Sequence, residues 1–344
     1  MTYQELLASA KENFQNTCKA CPVCNGAACR GLIPGPGGKG TGEGFVRSFQ
    51  KLAEIKLNLD TIYEEKEPDL SFDFFGHRVA MPVFAAPIGA MPTHYGPLYT
   101  EKEYVKELVE GLSRVGLMAF TGDGAKAHVF ADPVAVLSEY GGLGIPTIKP
   151  WPVAVMREKL KMAEAIGAPA VAVDVDASGL QLLKNVPTPV SAKSVEELSA
   201  FIAGTKLPVI LKGIMTVRGA EKALQCGAAG IVVSNHGGRV LDQTPAPVEV
   251  LPAIVRAVGG RMKIFIDGAI RTGADVFKVL ALGADAVLIG RPYPVAVYGG
   301  GADGAELYSR KIEAELRDVM LMTGASSLCE ITREKVWLDG EQNC

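Results

Sequence analysis

Gly230-Ile231-Val232-Val233-Ser234-Asn235-His236-Gly237-Gly238-Arg239, running on into Val240-Leu241-Asp242, is the stretch on which the fold turns. Its first four residues are apolar, mostly β-branched and too few for a helix, so they read as a short buried strand. The six that follow are polar or glycine, so the chain leaves the core there carrying an imidazole and a guanidinium. His236 can exchange a proton near neutral pH. Arg239 offers a planar fork that fits a carboxylate or a phosphate. Gly237 and Gly238 let a flat ligand approach the backbone closely.

Strand-like runs that end in polar or glycine-rich loops recur along the chain. They lie at 82–87, 116–120, 146–149, 168–175, 208–212, 230–233, 263–266 and 286–289. Helical patterns fall among and after them, for example 101–115, 153–166, 194–203, 218–226, 248–258, 273–282 and 305–322. The runs are apolar throughout instead of alternating, as strands buried on both faces of a parallel sheet are. Strands each followed by a helix, eight times over, predict an α/β protein closed into one (β/α)8 TIM barrel. A doubly wound open sheet is the alternative; the count of eight and the short strands favour the barrel.

In such a barrel chemistry gathers at the carboxyl ends of the strands. Those ends read Pro87-Ile88-Gly89, Thr121-Gly122-Asp123, Lys149-Pro150-Trp151, Asp174-Val175-Asp176, Lys212-Gly213, Ser234 to Arg239, Asp267-Gly268 and Gly290-Arg291. Lysines, arginines, carboxylates and a histidine thus converge on one rim. The last two loops follow strands seven and eight, where barrels of this kind hold phosphate. Their small residues expose backbone N–H groups, and Arg271 and Arg291 add bidentate positive charge.

The chain has 344 residues, 48% hydrophobic and 21% charged, with a net charge of −3. That suits a soluble globular protein with a sizeable core, and it excludes a nucleic-acid-binding surface. No window has the apolar length of a secretory signal or a membrane span, so a cytoplasmic protein with no membrane partner is expected. Residues 1–69 read as an extension packed on a barrel formed by 70–344. The extension opens with a helix over 1–17 and continues into Cys18-x2-Cys21-x2-Cys24-x4-Cys29. Close cysteines in a cytosolic chain suggest metal, cluster or redox chemistry more than disulfides. The spacing is near that of an iron–sulfur run but differs in its last interval and lacks the following proline. A bound metal or cluster, reactive thiols and inert packing all stay open, and no metal ligands are assigned. Cys226, Cys329 and Cys344 are scattered. The stretch 31–44, rich in glycine and proline, is either a flexible linker or a loop shaped around something.

Three motifs carry a more specific likeness: Val209-Ile-Leu-Lys-Gly213, Ser234 through Asp242, and the run 267–284 beginning Asp267-Gly268-Ala-Ile-Arg271-Thr-Gly273. With Ile289-Gly290-Arg291-Pro292, they resemble the FMN-dependent α-hydroxy acid oxidase/dehydrogenase family, which includes glycolate oxidase, lactate oxidase and mandelate dehydrogenase. The likeness spans about 70–332, with the motifs in the right order on the right elements. It implies FMN as cofactor, with Lys212 beside the flavin N1–C2=O edge, where a fixed cation raises electron affinity. Pro87, Ile88 and Gly89 would run behind the flavin N5, and Thr121 and Lys149 would touch the ring system. Asp267, Gly268, Arg271, Gly290 and Arg291 would hold ribityl and phosphate. His236 would remove a proton from a small-molecule substrate, Asp176 would orient it, and Arg239 would pair with the substrate carboxylate. The implied reaction takes a 2-hydroxy acid to its 2-oxo acid, with oxygen or an electron carrier as acceptor, in a homo-oligomer. Two alternatives are an FMN-dependent isomerase of the type 2 isopentenyl diphosphate isomerase kind, and a flavin-free lyase with Lys212 as a Schiff-base lysine. The first lacks the Ser-Asn-His-Gly-Gly-Arg run.

The sequence departs from the family in the substrate clamp. The second arginine expected after strand four is absent from Asp176-Ala-Ser-Gly-Leu-Gln-Leu-Leu183, and strand three ends in Lys149-Pro150-Trp151 where the family has Gln-x-Tyr. The N-terminal tyrosine motif is not recognisable, and the span from Asp176 to Lys212 is too short for a long mobile lid. Lys149, His94 and His128 are candidates to replace the lost contacts, and 34–44 is a candidate lid. A clamp so reduced predicts poor handling of glycolate and L-lactate and a substrate with a larger or anionic tail.

Overall fold

The computed structural model describes residues 1–338; Cys344 lies outside them. Eight strands form the core: β1 (Val83–Ala85), β2 (Met118–Thr121), β3 (Ile145–Ile148), β4 (Val171–Asp174), β5 (Val209–Ile214), β6 (Gly230–Val233), β7 (Lys263–Ile266) and β8 (Ala286–Ile289). Neighbouring strands are parallel, and β8 returns to β1 through the pairs Val287↔Val83, Leu288↔Phe84 and Ile289↔Ala85, so the barrel closes. Almost every strand residue is buried, either inside the barrel or under a helix. That double burial is the reason the runs are apolar without alternation.

The interior is filled by aromatic rings. Phe84, Phe120 and Phe265 meet edge to face, with centroids 5.7 to 6.2 Å apart. Phe74 joins them at 4.9 Å from Phe84, carried in by a hairpin of Phe72–Phe74 and His77–Val79. Strands of three residues leave no readable period, so this plug has no signal in the sequence.

Helices cover the barrel, with Glu101–Ser113, His128–Glu139 and Val153–Ala165 among them. The last helix begins at Pro292 and not near 305. Its first part is buried all round and breaks at Gly300 and Gly301, so no amphipathic stripe marks it. The first helix, Tyr3–Asn13, lies on that last helix, and a Cβ at Gly299 would come within 2.8 Å of Leu6 Cγ. Phe14 stacks on Tyr298 at 4.4 Å. The first helix stops short of 17 because Gln15 and Asn16 turn into left-handed backbone. A second helix, Glu43–Glu54, starts inside the glycine-rich stretch and buries Phe45, Val46 and Leu52 on one face. Among the described residues, no helix is long and apolar enough to cross a membrane.

Candidate active site

The loop after β6 is held in an unusual shape. His236, Gly237 and Gly238 are consecutively left-handed, at φ 58, 62 and 75. Glycine takes that conformation freely, but a residue with a Cβ does so at a cost. Side chains pin the turn in place. Ser234 Oγ donates to Asp267 Oδ2 at 2.8 Å and accepts from the His236 N–H at 3.0 Å. Asn235 Nδ2 reaches Thr244 Oγ1 at 3.2 Å and the Gly44 carbonyl at 3.3 Å. A Cβ at Gly238 would come within 2.7 Å of the Phe45 nitrogen, so only glycine lets the helix Glu43–Glu54 lie this close.

A buried charge cluster sits beside the loop. His236 Nδ1 lies 2.9 Å from Asp176 Oδ1 and 3.5 Å from Asp174 Oδ1. Asp174, at the end of β4, also takes Lys212 Nζ at 3.1 Å and forms an ion pair with Lys149. Burial alone would push the Asp174 carboxyl up, but His236, Lys149 and Lys212 outweigh it and hold the group well below the usual carboxylate range. Burial likewise opposes charge on Lys212, yet Asp174, Asp176 and Asp267 keep it a cation with a raised pKa. A Schiff-base lysine has to be neutral to attack, so this environment disfavours the lyase alternative. Asp174, Asp176 and His236 have ligand atoms within 4.8 Å of one another. Two ammonium groups already balance their carboxylates, which removes the charge a divalent cation would seek.

Asp174 was not among the residues expected to act, although a carboxylate closing an otherwise apolar strand was the signal for it. Gly213 was also missed. It forms a bulge in β5, between the pairs Lys212↔Val232 and Ile214↔Val233, at φ 102. A Cβ there would overlap the Asp176 carboxyl. The bulge makes room for the carboxylate that holds His236.

His236, Lys149, Lys212 and Asp267 line a cavity of about 470 Å³, together with Pro87, Ile88, Gly89, Gly268, Arg271 and Gly290. Two of its walls carry buried polar atoms without a protein partner, Asp267 Oδ1 and Arg271 Nη2. Burial raises the Asp267 pKa against the pull of Lys212 and Ser234. Thr121 Oγ1, at the end of β2, is likewise buried and unpartnered. A Cβ on Gly290 would meet nothing nearer than Ala86 at 3.8 Å, so the backbone there is open to a ligand. An acceptor and a donor orphaned in one cavity fit a bound molecule with hydroxyls and an anionic end, as FMN has.

The glycine-rich stretch lies over this cavity. Arg239 Nη1 donates to the carbonyls of Gly35 and Gly37, at 2.7 and 2.9 Å. Arg291 donates to Pro36, Gly37 and Gly237 carbonyls at 2.6 to 3.2 Å, and its guanidinium stacks 3.7 Å from the Phe45 ring centre. The Gly35 N–H donates to His94 Nδ1 at 3.2 Å, and Lys39 and Thr41 tie the stretch to Gly238 and Asp242. Burial, Arg239 and Lys149 push the His94 pKa down to about 4, so the ring is a neutral acceptor. Burial and Arg291 lower Arg239 to about 10, still a cation at neutral pH. Arg271 and Arg291 both reach the cavity, and Arg271 Nη2 is buried there without a partner. Trp151, in the place of the expected tyrosine, is turned away and donates to Asp123 at 2.7 Å. The outer wall holds Leu180, Leu182 and Leu183 where a second arginine was looked for, and His128 stands on the same rim.

Residues 36–185 and 184–338 match the family described as FMN-dependent dehydrogenase. The chain belongs to that family. An L-lactate oxidase of Roseobacter sp. (strain GAI101) is 45% identical over 143 residues, covering 42% of this chain and 39% of that protein. A 2-hydroxyacid oxidase of Dictyostelium discoideum is 48% identical over 133 residues, 39% of this chain and 34% of the other. The matched stretches thus span well under half the length of these curated relatives. A crystal structure of a mandelate oxidase variant with 2-hydroxy-phenylacetamide superposes with a TM-score of 0.80 at 28% identity, covering 96% of both chains. Another mandelate oxidase structure, with a TM-score of 0.73 at 29% identity over 89% of this chain and 96% of that one, contains a monooxide FMN adduct. The cofactor of the family is FMN, which the orphaned atoms of the cavity fit, and the barrel is shared with the mandelate oxidase structures. The isomerase alternative is not favoured.

Proposed function

We propose that this chain oxidises the α-carbon of a 2-hydroxy acid to the 2-oxo acid. The observation that carries the reading is one cavity lined by His236, backed by Asp176, by the cation Lys212 and by the guanidinium of Arg239. With Nδ1 engaged by Asp176, the other ring nitrogen of His236 is left to take the proton, and the two carboxylates stabilise the imidazolium that results. Asp176 fixes the ring in the orientation the transfer needs. Arg239 meets the substrate carboxylate with the donors it does not spend on the Gly35 and Gly37 carbonyls, and His94, whose Nδ1 accepts from the Gly35 N–H, offers its Nε2–H where the lost tyrosines would have donated. FMN supplies the two-electron acceptor, and Lys212 places fixed positive charge where its ring system gains electron density.

The leucine wall sets the substrate class: a 2-hydroxy acid with a sizeable apolar side chain. Burying such a side chain contributes roughly 1.5–3 kcal/mol, which offsets a carboxylate held by a single arginine. The mandelate oxidase structures with 2-hydroxy-phenylacetamide and with benzoyl-formic acid point the same way. Anaerobic titration of the yellow protein tests this. 2-Hydroxy acids should bleach the flavin, with long-chain or aromatic acids faster than glycolate or L-lactate. No bleaching by any 2-hydroxy acid rejects the reaction, and fastest bleaching by glycolate rejects the substrate class alone.

A further inference from the structure

We propose that Cys18, Cys21, Cys24 and Cys29 hold a [4Fe–4S] cluster in a second cavity behind the phosphate side of the active site. All four cysteines are free and all four line one cavity of about 450 Å³. The loop that carries them is folded, with left-handed backbone at Ala20 and Gly26 and a 3₁₀ turn at Ala27–Cys29. A Cβ at Gly26 would come within 2.7 Å of the Phe45 ring, so the loop is fitted to the helix beneath it.

Their spread separates a cluster from a single ion. Zinc at about 2.3 Å from each sulfur would draw the four to within about 3.8 Å of one another. Among the described residues, the ligand atoms gathered within 4.8 Å in groups of three or more are those of Asp174, Asp176 and His236, and no thiols are among them. A cubane holds its thiolates on separate corners, farther apart than one zinc ion does, and four thiols that share one roomy cavity without three of them converging fit it better. The walls suit an anionic group: Leu7, Phe49, Leu52 and Val295 make one side apolar, and Arg271 and Arg291 supply positive charge. Those two arginines also line the flavin cavity, and Arg271 Nε donates to the Cys24 carbonyl at 3.1 Å, so the two sites share a wall.

The full chain, purified without oxygen and also reconstituted with ferrous iron and sulfide, decides the matter by metal and acid-labile sulfide analysis. About four iron and four sulfide per chain are expected, with an electron paramagnetic resonance signal on dithionite reduction. Cys21→Ser and Cys24→Ser should lose most of the iron, whereas Cys226→Ser should keep it. FMN content and unfolding midpoint identify any variant that fails to fold, and the wild-type stoichiometry stands without the variants. Stoichiometric zinc, about two iron per chain, or protein that stays metal-free after reconstitution each overturns the proposal.

Discussion

His236 sits in left-handed backbone that most side chains avoid, and the surrounding contacts over-determine it. Ser234 and Asn235 fix the turn from one side, while Asp176 and Asp174 fix the ring from the other. His236, the proposed base, should be removable without losing the cofactor, because its own contacts are to the loop and the carboxylates. His236→Ala is expected to retain FMN and to slow flavin reduction by the hydroxy acid on the order of 10²–10⁴-fold. Stopped-flow reduction at saturating substrate measures this. An unchanged rate would transfer the role of base to another group on the rim.

At the scale of elements, the stretch 31–44 behaves as a strap and not as a linker. Half of its residues are glycine, so it is fastened largely through backbone carbonyls to Arg239 and Arg291, and through Thr41 to Asp242. Asp242 accepts from the Thr41 N–H at 2.6 Å and from its hydroxyl at 2.8 Å, and it is the strap's outer fastening. Asp242→Ala is expected to speed amide exchange over residues 35–44 and to raise KM, with flavin content and barrel protection unchanged. Hydrogen-exchange mass spectrometry measures the first effect. Protection equal to wild type would mean that the arginines hold the strap unaided.

At the scale of the whole molecule, the first helix, the last helix and the helix Glu101–Ser113 pack into one wall beside the cavity. Glu101 lies at its edge, 2% exposed, accepting from the Ala90 and Met91 N–H groups. Burial, opposed by those two bonds, raises its pKa from 4.5 to about 7. A carboxyl that binds its proton more tightly when folded stabilises the fold fully below pH 4.5 and loses that contribution as pH rises through about 7. The shift corresponds to an effect on the order of 3 kcal/mol. Relative to wild type, Glu101→Gln should therefore gain stability between pH 5 and pH 8. Urea midpoints at the two pH values provide the comparison, and parallel pH profiles would show that Glu101 titrates normally.

The sequence by itself determined the barrel. Four-residue runs such as Gly230–Val233 and Ala286–Ile289 are apolar without alternation because both faces are buried, a property of the strand that needs no partner to be read. It also determined the rim, since His236, Arg239, Lys212 and Arg271 stand at strand ends and the barrel brings those ends together. The resemblance already paired Asp176 with His236; tertiary structure alone brought Asp174 to the same imidazole and opened the bulge at Gly213 that makes room for Asp176. It alone turned Trp151 towards Asp123, folded the strap onto Arg239 and gathered the four cysteines around one cavity. Each of these rests on contacts between segments far apart in the chain or made through backbone carbonyls, which leave no pattern in the order of side chains.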